Sequence, residues 1–243
     1  SLTDEAGASA AQKLLVDSAS GQLTVKTVKS RERKRNPAPP FTTSTLQQEA
    51  SRKLGFTAQR TMRIAQQLYE GIDLGGETVG LITYMRTDSV SLAADAVNEI
   101  REVIRSRFGD NNLPAEVRVF TNKSKNAQEA HEAIRPSSAA RIPDDIKGAL
   151  NAEQLKLYKL IWQRTIACQM IPSVSNLVSV DLAAGVSGLF RANGSVIVVP
   201  GYLAVYQSAS ESENEDKLLP PVVEGDQLKL IDIVTDQHFT EPP

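Results

Sequence analysis

Three side chains able to handle a phosphate fall at alternate positions in Gly80-Leu81-Ile82-Thr83-Tyr84-Met85-Arg86-Thr87-Asp88-Ser89. In an extended segment the side-chain period is two, so Tyr84, Arg86 and Asp88 would project from one face. A phenol there could attack phosphorus, a guanidinium could hold phosphate oxygens, and a carboxylate could orient its neighbours. The same spacing also occurs in packed tyrosines and solvated Arg/Asp pairs, so it does not decide the matter alone. A second group lies downstream in Asn122-Lys123-Ser124-Lys125 and Glu129-Ala130-His131-Glu132-Ala133-Ile134-Arg135-Pro136. Read as a helix stopped by Pro136, it puts His131 and Arg135 on one face, compatible with phosphate binding or with a structural histidine.

These residues need elements to carry them. Residues 81–85 read as a strand that bears Tyr84, preceded by a loop from Gly71 to Gly80 with Gly75-Gly76 at its tip. Ser91 reads as the cap of a long helix to Phe108 with an apolar face of Leu92, Ala96, Val97, Ile100, Val103 and Ile104, so Tyr84 would lie shortly before a helix N-terminus that favours anions. Upstream, Ser44 and Gln47 have capping-box spacing for a helix ending at Gly55. Thr57 caps a second helix, 58–70, with Met62, Ala65, Leu68 and Tyr69 on one face. The short turn Gly55-Phe56-Thr57 makes the pair resemble a helix-turn-helix, decorated by Arg52, Lys53, Arg60 and Arg63; a plain helical hairpin with solvated charges fits equally.

The ends of the chain have another character. Residues 3–18 read as a helix capped by Thr3, and 22–30 as a strand whose alternation slips at Val28. Asn36-Pro37-Ala38-Pro39-Pro40 breaks regular structure and marks a domain crossing. Residues 117–121 suit a short strand. Residues 152–169 suit a helix with Trp162 as a core anchor and Cys168 in the core. From Val174 the pattern becomes strand-like over 174–182, 189–192, 196–199 and 228–234, with Asn193-Gly194 as a hairpin turn and Glu211 to Asp216 as an acidic loop. The expected fold is α+β: a β-rich arch domain formed by residues 1–36 and 171–243 from both chain ends, with a mainly helical domain, 37–170, inserted in it.

Composition limits the classes. The 243 residues hold one large or two ordinary domains. No apolar run reaches the ~18 residues of a membrane span and no signal peptide is present, so no membrane partner is expected. One cysteine excludes an internal disulfide and fits a cytoplasmic setting. The chain starts at Ser1 and ends at Pro243 without the look of natural termini, which suggests a piece of a longer protein. Net charge is −2, yet it is segregated: residues 26–164 carry a balance of +7 and the remainder −9. Ten basic residues against Glu32 and Glu49 between Lys26 and Arg63 form a footprint for a polyanion, or a solvated basic linker.

Phe41-Thr42-Thr43-Ser44-Thr45-Leu46-Gln47-Gln48, then Ile82 to Ser89, then Glu129 to Pro136, resemble the bacterial type IA DNA topoisomerase I family, and Gln237-His238-Phe239-Thr240 is similar as well. The resemblance is strongest from Phe41 to Trp162. Val90 and a longer Gly71–Gly80 loop depart from the usual pattern without touching the motif positions. The resemblance implies that this is the arch domain (domain II) and the tyrosine-bearing domain (domain III), lacking the acidic Toprim domain. It implies relaxation of negatively supercoiled DNA by transient cleavage of a single strand, strand passage and religation, with Tyr84 as nucleophile and Arg86 on the scissile phosphate. Asp88, Thr87, His131 and Arg135 would support catalysis or contact DNA. Mg²⁺ would be held by the absent Toprim domain, with no metal ligands here, and the partners would be single-stranded DNA and the other domains of the same polypeptide in a cytoplasmic, nucleoid-associated protein. The resemblance further implies that the fragment alone is inactive. The alternative is a non-catalytic module that binds single-stranded nucleic acid.

Overall fold

The computed structural model describes residues 4–121, 131–186, 188–207 and 219–236. Lys123, Lys125, the acidic stretch Glu211 to Asp216 and the tail Gln237 to Thr240 lie outside them. The chain divides into two compact units: Ser1–Arg33 with Ser175–Val198 and Glu215–Pro243, and Lys34–Val174 with Val199–Asn214. Residues 199–207, expected with the strands, thus belong to the helical unit. Their two tyrosines, Tyr202 and Tyr206, are buried in that unit's core.

The strand-rich unit pairs helix α1 (Glu5–Ala19) with strands β1 (Gln22–Arg35), β4 (Ser173–Ala184), β5 (Gly188–Val199) and β6 (Gln227–Lys229). The sheet order is β5-β4-β1-β6, and β1 runs antiparallel to β6 with Leu23 opposite Leu228. Asp4, not Thr3, caps α1: its carboxylate accepts the Gly7 N–H at 2.7 Å. The expected turn at Asn193-Gly194 is absent, and β5 is continuous through both residues. The chain reverses earlier, where Gly185 takes a positive φ of 57°. A Cβ on Gly185 would stand 2.2 Å from the Ser18 carbonyl oxygen, so the backbone of α1 itself requires glycine there. Between strands, Asp181 on β4 accepts from Thr27 on β1 at 3.0 Å and from Arg191 on β5 at 2.7 and 3.2 Å.

The helical unit contains α2 (Thr43–Leu54), α3 (Ala58–Glu70), α4 (Ala94–Phe108) and α5 (Ala152–Cys168), with a two-residue ribbon of β2 (Ile72–Asp73) and β3 (Thr78–Val79) at the Gly75-Gly76 tip. The Asp73 carboxylate closes that tip by accepting both glycine N–H groups. Thr42, not Ser44, caps α2, in a reciprocal box with Thr45. The core joins Leu46, Ile64, Leu68, Ile100, Ile104, Leu157 and Ile161 from all four helices. Trp162 is buried and donates its indole N–H to the Ala139 carbonyl at 2.8 Å. α2 and α3 do form a helix pair about the left-handed Gly55, but its basic residues are largely engaged. Arg60 and Arg63 pair with Glu153 on α5, and the Lys53 ammonium lies over the Tyr206 ring and bonds the Gln207 carbonyl. Among the described residues, no helix is long and apolar enough to cross a membrane.

Candidate functional site

The segment that carries Tyr84 is held from both sides within the helical unit. It is not the regular strand expected over 81–85: only Ile82 forms a bridge, opposite Pro136. On one side Thr83 gives its N–H to the Arg135 carbonyl (2.9 Å), gives its hydroxyl proton to the Ala133 carbonyl (2.7 Å), and accepts the Arg135 N–H (3.0 Å). Ser137 reaches back to the Leu81 and Gly80 carbonyls at 2.9 and 2.7 Å. On the other side Thr43, at the start of α2, donates its hydroxyl to the Met85 carbonyl (2.8 Å) and accepts the Thr87 N–H (2.9 Å). Its own N–H bonds the Thr87 carbonyl at 2.9 Å. Behind, the Leu81 N–H bonds the Leu68 carbonyl at 2.7 Å, and Gly80 comes so near α3 that a Cβ would meet the Tyr69 carbonyl at 2.7 Å.

Exposure alternates along the pinned segment. Met85, Thr87 and Ser89 are buried, while Tyr84, Arg86 and Asp88 are exposed. A phenol that is 40% exposed on a fixed backbone is open to a substrate without a large loop movement. Two more rings flank it: Tyr69 from the end of α3, edge-on at 5.5 Å, and His131, tilted at 5.8 Å. Tyr69, read from the sequence as part of the buried face of α3, is itself 42% exposed. That face is built instead from Thr61, Ile64, Ala65 and Leu68. Tyr69, four residues after Ala65, keeps the spacing of that stripe, so the helical pattern held no signal for its exposure.

The remaining candidates take different places. Thr87 is only 8% exposed, and its hydroxyl accepts the Ser89 N–H at 3.0 Å, so it shapes the backbone from beneath the exposed face. His131 and Arg135 do not share a helix. Residues 131–136 are extended, with Ile134 bridged to Phe41 and Pro136 to Ile82, because pairing with two distant segments satisfies backbone groups that a helical turn would otherwise bond locally. Arg135 is turned to the Glu132 carboxylate at 2.6 Å and to the Pro136 carbonyl at 2.9 Å. Ser91 does not cap α4, whose N-cap is Ala93 with no side-chain cap. The Ala93 N–H bonds Glu132 at 2.8 Å, so a carboxylate of this chain already occupies part of the helix end that was expected to face phosphate. Residues 117–121, expected as a strand, have no regular structure.

An exposed tyrosine next to an exposed arginine, on a backbone pinned by threonines and serines, is a fitting arrangement for attack on phosphorus. A family model described as DNA topoisomerase matches residues 2–243, and the chain belongs to the DNA topoisomerase family. It is 54% identical over 248 residues to DNA topoisomerase 1 of Xylella fastidiosa (strain Temecula1 / ATCC 700964), covering 100% of this chain and 30% of that protein. It is likewise 54% identical over 219 residues to DNA topoisomerase 1 of Rickettsia bellii (strain RML369-C), covering 89% of this chain and 27% of the relative. Among solved structures, full-length topoisomerase I from Thermotoga maritima superposes with a TM-score of 0.75 at 34% identity, over 93% of this chain and 35% of that one. The chain therefore spans about 30% of the curated relatives it matches.

Proposed function

We propose that this chain is the tyrosine-bearing part of a type IA DNA topoisomerase that relaxes negatively supercoiled DNA. The observation that carries the reading is the alternation by which Tyr84, Arg86 and Asp88 are exposed while Met85, Thr87 and Ser89 are buried. The Tyr84 oxygen bonds to the phosphorus of a phosphodiester in a single strand and loses its proton. The bond from phosphorus to the 3′ oxygen breaks, and that oxygen takes a proton to become a 3′-hydroxyl. The product is a 5′-phosphotyrosine. One phosphoester replaces another, so the reverse attack by the 3′-hydroxyl reseals the strand without ATP. Arg86 holds the non-bridging oxygens with its forked donors as charge builds on them. Asp88 orients its neighbours on that face, His131 lies along the DNA path, and Thr87 sets the backbone on which both exposed neighbours stand.

The resemblance assigns Mg²⁺ to a Toprim domain outside this chain. Among the described residues, no three His, Cys, Asp or Glu side chains are grouped as ligands, and one carboxylate such as Asp88 does not make a magnesium site. The described residues do not fit a resident metal, and the roles given above are those of nucleophile and phosphate holder.

In the full-length protein, Tyr84→Phe abolishes relaxation and the covalent adduct with a labelled single-stranded oligonucleotide while circular dichroism stays unchanged. Retained relaxation would leave a non-catalytic binding module as the better reading. Arg86→Ala lowers the cleavage rate about 100-fold or more with DNA affinity changed only a few-fold; equal losses in both would remove its transition-state role. The 243-residue chain alone, incubated with the same oligonucleotide and Mg²⁺, forms no adduct; an adduct would show that it cleaves unaided.

A further inference from the structure

The strand-rich unit, which holds none of the residues assigned above, carries a basic stripe of its own. Lys29, Arg31 and Arg33 are alternate residues of β1, all exposed, so the strand sets them on one face at intervals of about 6.7 Å. They line a groove floored by Leu177 and Ser179 of β4 and bounded by Asn193 of β5. Asp181, which shares this face with Thr27, is committed to Thr27 and Arg191. Its carboxyl is held below the ordinary range first by the Arg191 hydrogen bond and also by Thr27 and the nearby Lys29 charge. Glu32 occupies an intervening position, which a strand turns to the opposite face. The stripe therefore presents three positive charges over a neutral floor.

We propose that this groove, formed by the strand-rich unit itself, binds the phosphate backbone of DNA independent of base sequence. Charge complementarity selects a polyanion, and membership in the DNA topoisomerase family makes DNA the polyanion at hand. The spacing of the three charges is close to that of successive phosphates along an extended strand. Among the described residues no aromatic side chain lines the groove, so they offer no stacking platform for single-stranded bases and phosphate is the group recognised. A duplex and a single strand both present it.

The test is fluorescence anisotropy of labelled oligothymidylate, and of a duplex of equal length, with the 243-residue chain over a range of salt. Changing Lys29, Arg31 and Arg33 together to Gln lowers affinity for both probes about tenfold or more at low salt. It also reduces the steepness of log K against log salt by about 2 for the single strand, as expected when three phosphate contacts are lost. A charge-matched control, Arg107→Gln with Lys147→Gln and Lys156→Gln, leaves that slope unchanged, and circular dichroism verifies both folds. An unchanged slope in the stripe variant, an equal loss in the control, a loss confined to one probe, or no measurable binding by the unsubstituted chain would each overturn the proposal. The groove is read by reversible, salt-dependent affinity and the cleavage reading by the covalent adduct, so failure of one and failure of the other give different results.

Discussion

At the scale of single residues, the side chains proposed to react are less constrained than the small polar ones beneath them. Tyr84 and Arg86 are exposed, and their placement comes from hydroxyls: Thr83 joins the segment to residues 133–135, and Thr43 joins it to α2. Thr43 offers a test, because one hydroxyl donates to Met85 and accepts from Thr87, as that of Thr83 does with Ala133 and Arg135. Thr43→Val keeps the shape and leaves a carbonyl and an N–H without that partner, a cost of about 1–3 kcal/mol. Urea unfolding of the chain should show that loss, with Thr43→Ser close to the parent. In the full-length protein the same Val variant should lower the cleavage rate with little change in DNA affinity. Parent-like stability and cleavage would mean that the hydroxyl does not set the Tyr84 backbone. The sequence showed the alternation of residues 84, 86 and 88 plainly, since it needs only local extension. It did not show Tyr69 beside Tyr84, because that contact depends on where α3 ends against a segment eleven residues beyond it in the chain.

At the scale of elements, helices governed by local signals were legible and segments governed by distant partners were not. α3 runs from Ala58 to Glu70 behind Thr57, as its cap and apolar spacing require. Residues 131–136 carry helix-forming residues yet lie extended, because Phe41 and Ile82 supply hydrogen-bonding partners that no local pattern reveals. Asn193-Gly194 has turn chemistry yet lies within a strand, because pairing of β5 with its one neighbour, β4, holds it there. α4 shows how such non-local segments are tied down. Burial opposes the charge on its Glu99, but hydrogen bonds from the Ser138 hydroxyl and the Ala139 and Ala140 N–H groups, with Arg135 nearby, outweigh that and hold the carboxyl below its ordinary value. A lowered folded-state value means that the stabilisation is complete above the unfolded carboxylate value of about 4.3 and fades as pH falls through the folded one. Glu99→Gln should therefore cost about 1–2 kcal/mol at pH 7, and the gap from the parent should close below about pH 4. A gap that persists unchanged at low pH would show that shape, not charge, matters at this position.

At the scale of the whole molecule, the near-neutral net charge conceals a segregation of charge along the sequence. The basic middle of the sequence supplies the pinned tyrosine segment, and the acidic excess falls elsewhere in the chain. The helical unit must keep its polar clamps in register, which requires that its core open as one body. Cys168 permits a direct measurement. It is fully buried at the end of α5, its thiol points to the Thr165 carbonyl, and burial pushes its pKa up to about 12. The thiolate is the reactive form, so in the folded chain both access and ionisation are withheld. Reaction with a thiol reagent at pH 8 should be slower than in the unfolded chain by about 1,000-fold or more, since it must await opening of the core. Trp162, buried six residues earlier on the same helix, should change fluorescence along the same urea curve that exposes the thiol. If the thiol reacts at urea concentrations where the indole is still native, α5 frays from its C-terminal end, and the platform beneath Tyr84 is less cooperative than its packing implies.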